Sequence, residues 1–401
     1  MEHKLTFLDG AMGTMLQRHG LKLGEIPELL AITNPELLTN IHRQYIEAGT
    51  EIVYANTFGA NRRKMQKTPY TVADVVSAAI AAAKKACIGT SARVALDIGP
   101  LGELLEPMGT LPFETAVDMF AEIVDAGVNA GADLICIETM TDLYEAKAAL
   151  LAAKEHSTLP VWVTMSFDAT GRTFTGCTIP SMARTLEGLG ADAIGLNCSQ
   201  GPKQLLPLFQ ELCRVTTLPV IAKPNAGLPD PVDGHYDLPP EDFARTMVDV
   251  VGAGVSIVGG CCGTTEEHIA ALKAALKDAE YVRPAPECLD LLPAATEKEA
   301  FFLPADATHG AVLTADGDLE DKLSDAMDDE WPMVALKLAS WADVDALADY
   351  QYMIRKPLCL ICDDAELLEA GLRAYQGRAL YEGNLTEDAL APLVEKYGLL
   401  V

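Results

Sequence analysis

The sequence has few basic residues and no long apolar stretch, and both shortages narrow the range of possible functions. Only 30 lysines and arginines stand against 58 aspartates and glutamates in 401 residues, a formal net charge of −28. Nucleic-acid binding depends on basic side chains that neutralise phosphates, so we expect no nucleic-acid partner. No apolar run approaches the roughly 20 residues that span a bilayer, and the start, MEHKLTFLDGAMG, lacks the pattern of a signal peptide. We therefore predict a cytoplasmic protein without a membrane partner.

Cysteine, in contrast, is plentiful, and two of the ten cysteines are adjacent. Without a leader we expect these thiols to be reduced, buried or metal-bound rather than paired in disulfides. Cys261 and Cys262 stand between glycines in IVGGCCGTTEEH (257–268), where an apolar run gives way to a predicted helix. Neighbouring cysteines rarely bridge each other without strain. Core packing, a reactive thiol and a metal site are the remaining explanations.

Eight short apolar runs alternate with amphipathic segments over the first part of the chain. The runs are almost continuously apolar, as in parallel strands that are covered on both faces. A (β/α)8 barrel takes about 250 residues, whereas the alternative, a doubly wound open sheet, lacks its G-x-G-x-x-G fingerprint here. We predict a (β/α)8 TIM barrel over residues 1–283. The predicted strands are 5–10, 51–58, 93–100, 132–140, 160–167, 191–198, 219–227 and 255–262.

Residues 284–401 have a different character. The segment YVRPAPECLDLLPAATEKEAFFLP (281–304) is irregular and contains prolines, so we predict a linker there. Four apolar runs follow, VLTADG, WPMVALKL, KPLCLIC and GRALYEGN, each before a helical segment. Acidic residues outnumber basic ones by about three to one from Pro286 onward. We predict a small, acidic C-terminal α/β appendage.

Polar residues end several of the predicted strands, and cysteines end two of them. Cys198 ends the sixth strand, and Cys261 and Cys262 end the eighth. These ends meet at one rim of a barrel, where three thiolates match a catalytic zinc centre with one open position. Glycines after the eighth strand can instead hold a phosphate, but no neighbouring lysine or arginine favours that role. We also predict that Thr264 caps the next helix in a capping box with Glu267.

The ligand set suggests a reaction type. Zinc held by three thiolates is a poor Lewis acid for water, because the sulfurs already donate electron density to it. A fourth, substrate thiol bound to such an ion is deprotonated, and the thiolate is the nucleophilic form. The cysteines therefore favour alkyl transfer to a thiol over hydrolysis.

Seven short motifs extend this interpretation. They are LDGAMGT (8–14), ANTFGAN (55–61), DIGPLGE (97–103), IETM (137–140), GLNCSQGP (195–202), KPNAGLP (223–229) and GGCCGTT (259–265). Together they resemble the homocysteine S-methyltransferase family, in particular the homocysteine-binding module of cobalamin-dependent methionine synthase. The resemblance implies a zinc-bearing barrel that methylates L-homocysteine to methionine, with Cys198, Cys261 and Cys262 as ligands.

The resemblance also implies roles for other polar strand ends. Asp9 and Glu138 would hold the amino group of the substrate, and the amides from Gly10 onward would hold its carboxylate. Asn225 would lie within reach of the metal as a weak fourth ligand. Ordinary turn and capping chemistry remains the alternative for Asp9, Asn225 and Glu138, although Asp142 already serves the helix after Glu138.

The last residues, from KPLCLIC onward, resemble the early strands of the folate-binding barrel that follows this module in methionine synthase. Glu382, in LYEGN, stands where that barrel has a polar, asparagine-bearing stretch. The resemblance implies a truncated, degenerate start of a pterin-binding domain, and no segment resembles a cobalamin-binding module. We expect a separate corrinoid protein to deliver the methyl group as methylcobalamin. A small donor such as S-methylmethionine, another thiol acceptor and a non-catalytic zinc-binding subunit are the alternatives.

Overall fold

The first part of the chain is a barrel of eight parallel strands in a computed structural model that describes residues 4–22, 24–230, 234–277, 279, 281–286 and 290–401. Neighbours in the chain are neighbours in the sheet, and β1 also pairs with β8. A bridge between Leu8 and Ile52 closes the ring. The strands are β1 (Thr6–Phe7), β2 (Ile52–Tyr54), β3 (Arg93–Ile98), β4 (Leu134–Met140), β5 (Val161–Met165), β6 (Ala193–Asn197), β7 (Val220–Lys223) and β8 (Ile257–Val258).

Every barrel strand lies inside the run from which it was predicted, so the (β/α)8 barrel is confirmed. At least one helix follows each strand. These helices are α1 (Met12–Arg18), α2 (Leu30–Thr33), α3 (Pro35–Glu47), α4 (Arg62–Met65), α5 (Val72–Cys87), α6 (Phe113–Asn129), α7 (Leu143–His156), α8 (Ile179–Gly188), α9 (Pro202–Val215), α10 (Pro240–Gly252) and α11 (Glu266–Ala275).

The barrel has two buried layers because successive strand residues point to opposite faces. Val53 packs outward against the helices, whereas Ile52 and Tyr54 point into the barrel and pack with Leu134 and Ile221. The interior is therefore filled with side chains, and only the ends of the strands are left to form a site. No helix within the described ranges is both long and apolar enough to cross a membrane.

One predicted helix cap is wrong by a residue. The N-cap of α11 is Thr265, which forms a capping box with His268, not Thr264 with Glu267. The Thr264 hydroxyl instead donates to the Cys261 carbonyl at 2.7 Å and accepts the Ala11 N–H at 3.2 Å. Thr264 thus fixes the cysteine turn, and the helix starts one residue later.

The predicted linker is also partly wrong, because it contains an antiparallel hairpin of β9 (Leu292–Ala295) and β10 (Ala300–Leu303). Its apolar residues cover one face of a parallel sheet of four strands in chain order. The prediction of a C-terminal α/β appendage is confirmed. Its elements are β11 (Val312–Thr314), α12 (Leu319–Asp328), β12 (Val334–Lys337), α13 (Trp341–Tyr350), β13 (Leu358–Ile361), α14 (Ala365–Ala374), β14 (Leu380–Glu382) and α15 (Glu387–Tyr397).

The appendage is bound to the outer helices of the barrel. Lys147 on α7 is almost fully buried, and its ammonium donates to the Leu372 carbonyl at 2.6 Å and to the Tyr375 carbonyl. Arg373 pairs with Glu114 at 2.7 Å and with Glu155 at 2.5 Å. Cations thus meet carbonyls and carboxylates at the end of α14, which fixes the appendage against α6 and α7.

Candidate metal centre and substrate pocket

Three cysteines converge at the carboxyl ends of β6 and β8. The Sγ atoms of Cys198 and Cys262 are 3.8 Å apart, and those of all three, with Cys261, lie within 4.8 Å of one another. Cys198 and Ser199 both have left-handed backbones, with φ of 60° and 56°. Non-glycine residues rarely adopt this conformation, and such strain concentrates at functional sites. The strained turn after β6 is what brings Cys198 to the cysteine pair.

The cysteine triad has the dimensions of a zinc site. A Zn–S bond of about 2.3 Å in a tetrahedron separates two sulfurs by about 3.8 Å, the distance found between Cys198 and Cys262. Asn225 is buried close by, and its Oδ1 has no hydrogen-bond partner among the described residues. Three sulfurs with one unsatisfied amide oxygen beside them fit a zinc ion with an exchangeable fourth position.

Without a metal, the thiols share their protons unequally. Hydrogen bonds from Cys261 and Cys262 hold the pKa of Cys198 far below its usual range. The pKa values of Cys261 and Cys262 are raised, in each case chiefly by hydrogen bonding to Cys198. Ionisation of one thiol is therefore favoured by hydrogen bonds from the other two, and binding of a cation would favour ionisation of all three.

The turn after β8 depends on glycine. Gly263 has a φ of +81°, and a Cβ there would collide with the side chain of Tyr236. Gly10, after β1, is equally confined, because a Cβ would lie 2.8 Å from the Thr264 hydroxyl and 2.9 Å from that of Tyr45. Because Gly10 and Gly263 have no Cβ, the loops that carry them can pack closely against their neighbours beside the cysteines.

A cavity of about 760 Å³ opens above the triad. Six of the seven residues predicted to bind substrate or metal line this cavity, and the first turn of α1 forms part of its wall. Asn225 is buried and is not one of the residues that line the cavity; its backbone N–H donates to the Gln200 carbonyl at 2.9 Å. The predicted site residues that line the cavity are Asp9, Gly10, Glu138, Cys198, Cys261 and Cys262.

A buried lysine joins the two carboxylates that were predicted to hold an amino group. The Lys223 Nζ lies 3.2 Å from Glu138 Oε2, 3.7 Å from Asp9 Oδ1 and 3.5 Å from the centroid of the Tyr54 ring. All three charged side chains are nearly inaccessible to solvent. No cation was predicted at this rim, so Lys223 was missed. The Lys223 ammonium is already paired with Asp9 and Glu138, so its presence does not support the alternative of a phosphate-binding site.

The charges in this half of the cavity leave room for one more cation. Burial raises the pKa of Asp9 to about 7, against the opposing effect of Lys223. Burial also raises the pKa of Asp97, whose Oδ1 is without a hydrogen-bond partner among the described atoms. Asp9 and Glu138, the two carboxylates that pair with Lys223, carry one uncompensated negative charge when both are ionised. An incoming ammonium would neutralise it.

Two further side chains beside the sulfurs were not assigned from the sequence. The Asn197 amide is held by Thr139 and Thr164, and its Nδ2 lies 4.0 Å from Cys261 Sγ. Tyr236, on the loop between β7 and α10, packs on Gly263 next to Cys262 and lines the cavity. Asn197 carried a signal as a polar residue at a strand end, whereas Tyr236 lies in a long loop without one.

The fold and the site together define a parallel (β/α)8 barrel with a cysteine triad at its carboxyl-terminal rim, and comparison with known proteins gives the family. The pattern of the homocysteine S-methyltransferase family matches residues 6–276. The chain belongs to the homocysteine S-methyltransferase family.

Individual relatives agree with this assignment. The methionine synthases of Mycobacterium tuberculosis (strain ATCC 25618 / H37Rv) and Mycobacterium leprae (strain TN) are each 34% identical to the chain, over 290 and 291 residues. These matches cover 67% of this chain but only 24% of either relative. The chain thus spans about a quarter of the length of these methionine synthases.

Among solved structures, the homocysteine methyltransferase MmuM from Escherichia coli has the same fold. Its oxidized form gives a TM-score of 0.59 at 24% identity, over 67% of this chain and 95% of that one. Its metallated form gives the same score and identity, over 68% and 96%. The likeness concerns the barrel, and the cysteine geometry described above belongs to this chain.

Proposed function

We propose that the protein transfers a methyl group to the thiol of L-homocysteine and so forms methionine. The observation that carries this proposal is the cysteine triad, with three sulfurs within 4.8 Å of one another in the wall of a cavity that also contains a buried carboxylate pair. Homocysteine has a thiol and an ammonium group that match these two features. Membership of the homocysteine S-methyltransferase family supports the same reaction.

In this proposal Cys198, Cys261 and Cys262 hold zinc, and the Asn225 amide oxygen stands beside the fourth position. Bound zinc would supply a Lewis acid that keeps a substrate thiol in its deprotonated, nucleophilic form. Asn225 would give way to the substrate, since a neutral amide is a weaker ligand than a thiolate. The cysteines therefore fix where the substrate sulfur lies.

Asp9 and Glu138 hold the substrate ammonium in this proposal. Both are buried, so their charge acts in a medium of low dielectric, where a carboxylate attracts a cation more strongly than in water. Lys223 keeps the pair from repelling each other. Gly10 leaves the adjacent wall open for the rest of the amino acid. The thiol and the amino group are thus held at separate points, which orients the sulfur toward the cavity mouth.

We propose that a separate corrinoid protein delivers the methyl group as methylcobalamin. The relatives that support this proposal are methionine synthases. About three quarters of each of them lies outside the region that matches this chain. A free donor such as S-methylmethionine is the competing source. Methionine formation with methylcobalamin and not with S-methylmethionine supports the corrinoid donor, and the reverse pattern refutes it.

We propose further that residues 284–401 form a degenerate start of a pterin-binding domain that does not bind folate. Glu382, at the end of β14, has its Oε2 3.1 Å from His309 Nε2, and this contact within the appendage supports the proposal. Titration of the protein with a reduced folate checks it, and saturable binding would contradict it.

Zinc-edge X-ray absorption is the direct test of the main proposal. The zinc-loaded protein should show three sulfurs and one lighter atom, and four sulfurs after addition of L-homocysteine. Methionine, which has no thiol, serves as the matched control and should leave the first shell unchanged. A shell that ignores homocysteine would overturn substrate binding at the metal and reduce the site to a structural one.

A further inference from the structure

One carboxyl in the cavity wall, that of Asp97, has no part in the proposed reaction. Asp97 begins the motif DIGPLGE (97–103) and lies in β3, one residue before its end. Its side chain lines the cavity and is almost fully buried, and its Oδ1 has no hydrogen-bond partner among the described residues. Buried polar atoms are nearly always hydrogen-bonded. An unpaired oxygen in a cavity wall therefore fits a ligand that donates a hydrogen bond there.

The backbone of Asp97 is anchored by the hydroxyl of Thr57, in the loop after β2. This hydroxyl donates to the Asp97 carbonyl at 2.7 Å and accepts the Asp97 N–H at 3.0 Å. Ala95, two residues earlier in β3, packs inside the barrel, so the side chain of Asp97 points to the same inner face. The carboxyl is thus held toward the cavity by a backbone that is bonded on both sides.

Glu138 lies beside Asp97 on the next strand. Asp97 is in register with Cys136 of β4, and Glu138 is two residues further along the same strand. At about 4.8 Å between strands and about 3.3 Å per residue, the Cα atoms of Asp97 and Glu138 are about 8 Å apart. Both side chains line the cavity. An ammonium group between them can therefore reach a carboxyl oxygen of each.

Asp9 has less capacity left for such a cation. Its Oδ2 accepts the Tyr54 N–H at 2.7 Å, and its Oδ1 lies 3.7 Å from Lys223 Nζ, which is shared with Glu138. For Asp97, burial and then Glu138 raise the pKa, against the effect of Lys223. The chain therefore supplies too little positive charge to Asp97, and a substrate ammonium would add it.

We infer that Asp97 is a specificity-determining residue that joins Glu138 in binding the substrate ammonium, and so restricts the site to thiols that carry an amino group. This inference rests on the proposed function, since it takes homocysteine as the ligand. An ammonium group has three N–H donors, and Asp9 is already engaged by other groups. The unpaired Oδ1 of Asp97 accepts the donor that remains.

The test uses calorimetry on the zinc-loaded protein with two thiols that differ only in the amino group, L-homocysteine and 4-mercaptobutanoate. Asp97→Asn keeps the size of the side chain and removes its charge. It should weaken homocysteine binding about 10- to 100-fold, as expected for a hydrogen bond to a charged group, and change 4-mercaptobutanoate binding by less than about twofold. Zinc content and circular dichroism are measured beforehand for every variant.

Asp142→Asn is the matched control. Asp142 is also buried, but it caps α7, where its Oδ1 accepts the Tyr144 N–H at 2.7 Å, and it does not line the cavity. Asparagine caps helices about as well as aspartate, so the fold should be kept. Both thiols should bind this variant with unchanged affinity.

Several results would overturn the inference. An unchanged homocysteine affinity in Asp97→Asn would show that the ammonium lies elsewhere, and an equal loss for both thiols would show that the substitution only disturbs the pocket. Asp97→Ser, which is smaller and uncharged, repeats the comparison if the asparagine variant loses zinc or its fold, and the same loss in both variants would show a purely structural role. A wild-type protein that binds neither thiol would refute the proposed function and the inference with it, whereas the other results leave the proposed function intact.

Discussion

Replacing Glu297 by glutamine should stabilise the protein above pH 7 and leave it unchanged near pH 4.5. Glu297 lies in the turn of the β9–β10 hairpin, which is bound to the barrel through hydrogen bonds from Ser181 to the Thr296 carbonyl at 2.6 Å and from Thr178 to the Lys298 carbonyl at 2.7 Å. Burial raises the pKa of Glu297 to about 7, and the nearby Asp142 acts in the same direction. Ionising this carboxyl therefore destabilises the folded protein.

The size and the sign of the change in stability follow from the pKa shift of Glu297. The pKa of Glu297 is 4.5 in the reference state and about 7 in the fold, so the folded state holds the proton more tightly between these values. Stability is therefore lost as the pH rises through this window, and the whole cost is present above pH 7. A shift of this size corresponds to about 3 kcal/mol, which solvent screening at a partly exposed carboxyl reduces to about 1–2 kcal/mol.

Urea denaturation of both proteins at pH 4.5 and pH 8, followed by circular dichroism, measures this difference. Glu297→Gln should gain about 1–2 kcal/mol in the free energy of unfolding at pH 8 and almost nothing at pH 4.5. The matched control is Glu299→Gln, in the same turn, where the carboxylate is exposed and pairs with Arg172. A gain of equal size at both pH values, or none at pH 8, would refute the reasoning.

Three further predictions concern the site and the appendage. Cys198→Ala should abolish zinc retention while circular dichroism still reports a folded barrel, and full zinc occupancy by elemental analysis would contradict the ligand assignment. Glu138→Ala should weaken homocysteine binding about 10- to 100-fold in calorimetry, with a smaller effect on zinc; an unchanged affinity would count against its role. Arg373→Met removes the ion pairs with Glu114 and Glu155. It should lower the free energy of unfolding, measured in urea, by about 1–2 kcal/mol. An unchanged free energy of unfolding would show that other contacts hold the appendage.

The barrel could be predicted because each of its strands is encoded by a short, continuous stretch of the sequence. Each strand is a short apolar run, and the rule that parallel strand ends meet at one rim converts distant residues into neighbours. For this reason Cys198, Cys261, Asp9 and Glu138 could be placed at one mouth before any distance was known. The same rule gives no side-chain rotamers, and it does not tell which strand-end residues pair with one another.

The role of Lys223 could not be predicted from the residues next to it in the sequence. In the sequence it closes an apolar run and resembles any polar strand end. Its role arises from carboxylates on β4 and after β1, which are distant in the chain. A buried lysine needs charged or hydrogen-bonding partners, and those of Lys223 come from other strands, so its role is a property of the assembled rim. The Thr264 error has a related cause, since its hydroxyl is engaged by the cysteine turn and by Ala11, far earlier in the chain.

The hairpin in the predicted linker follows from the physics of the appendage. A parallel sheet is stable when both faces are covered, and helices follow its strands on only one face. The other face of this sheet carries Ala335, Cys359 and Leu380. In a closed eight-stranded barrel such residues would point into the interior, but a sheet of four strands does not close into a barrel. Ala294 and Leu303 of the hairpin cover them instead. Because the turn of this hairpin also binds the barrel, the stability of the appendage and its attachment to the barrel are coupled.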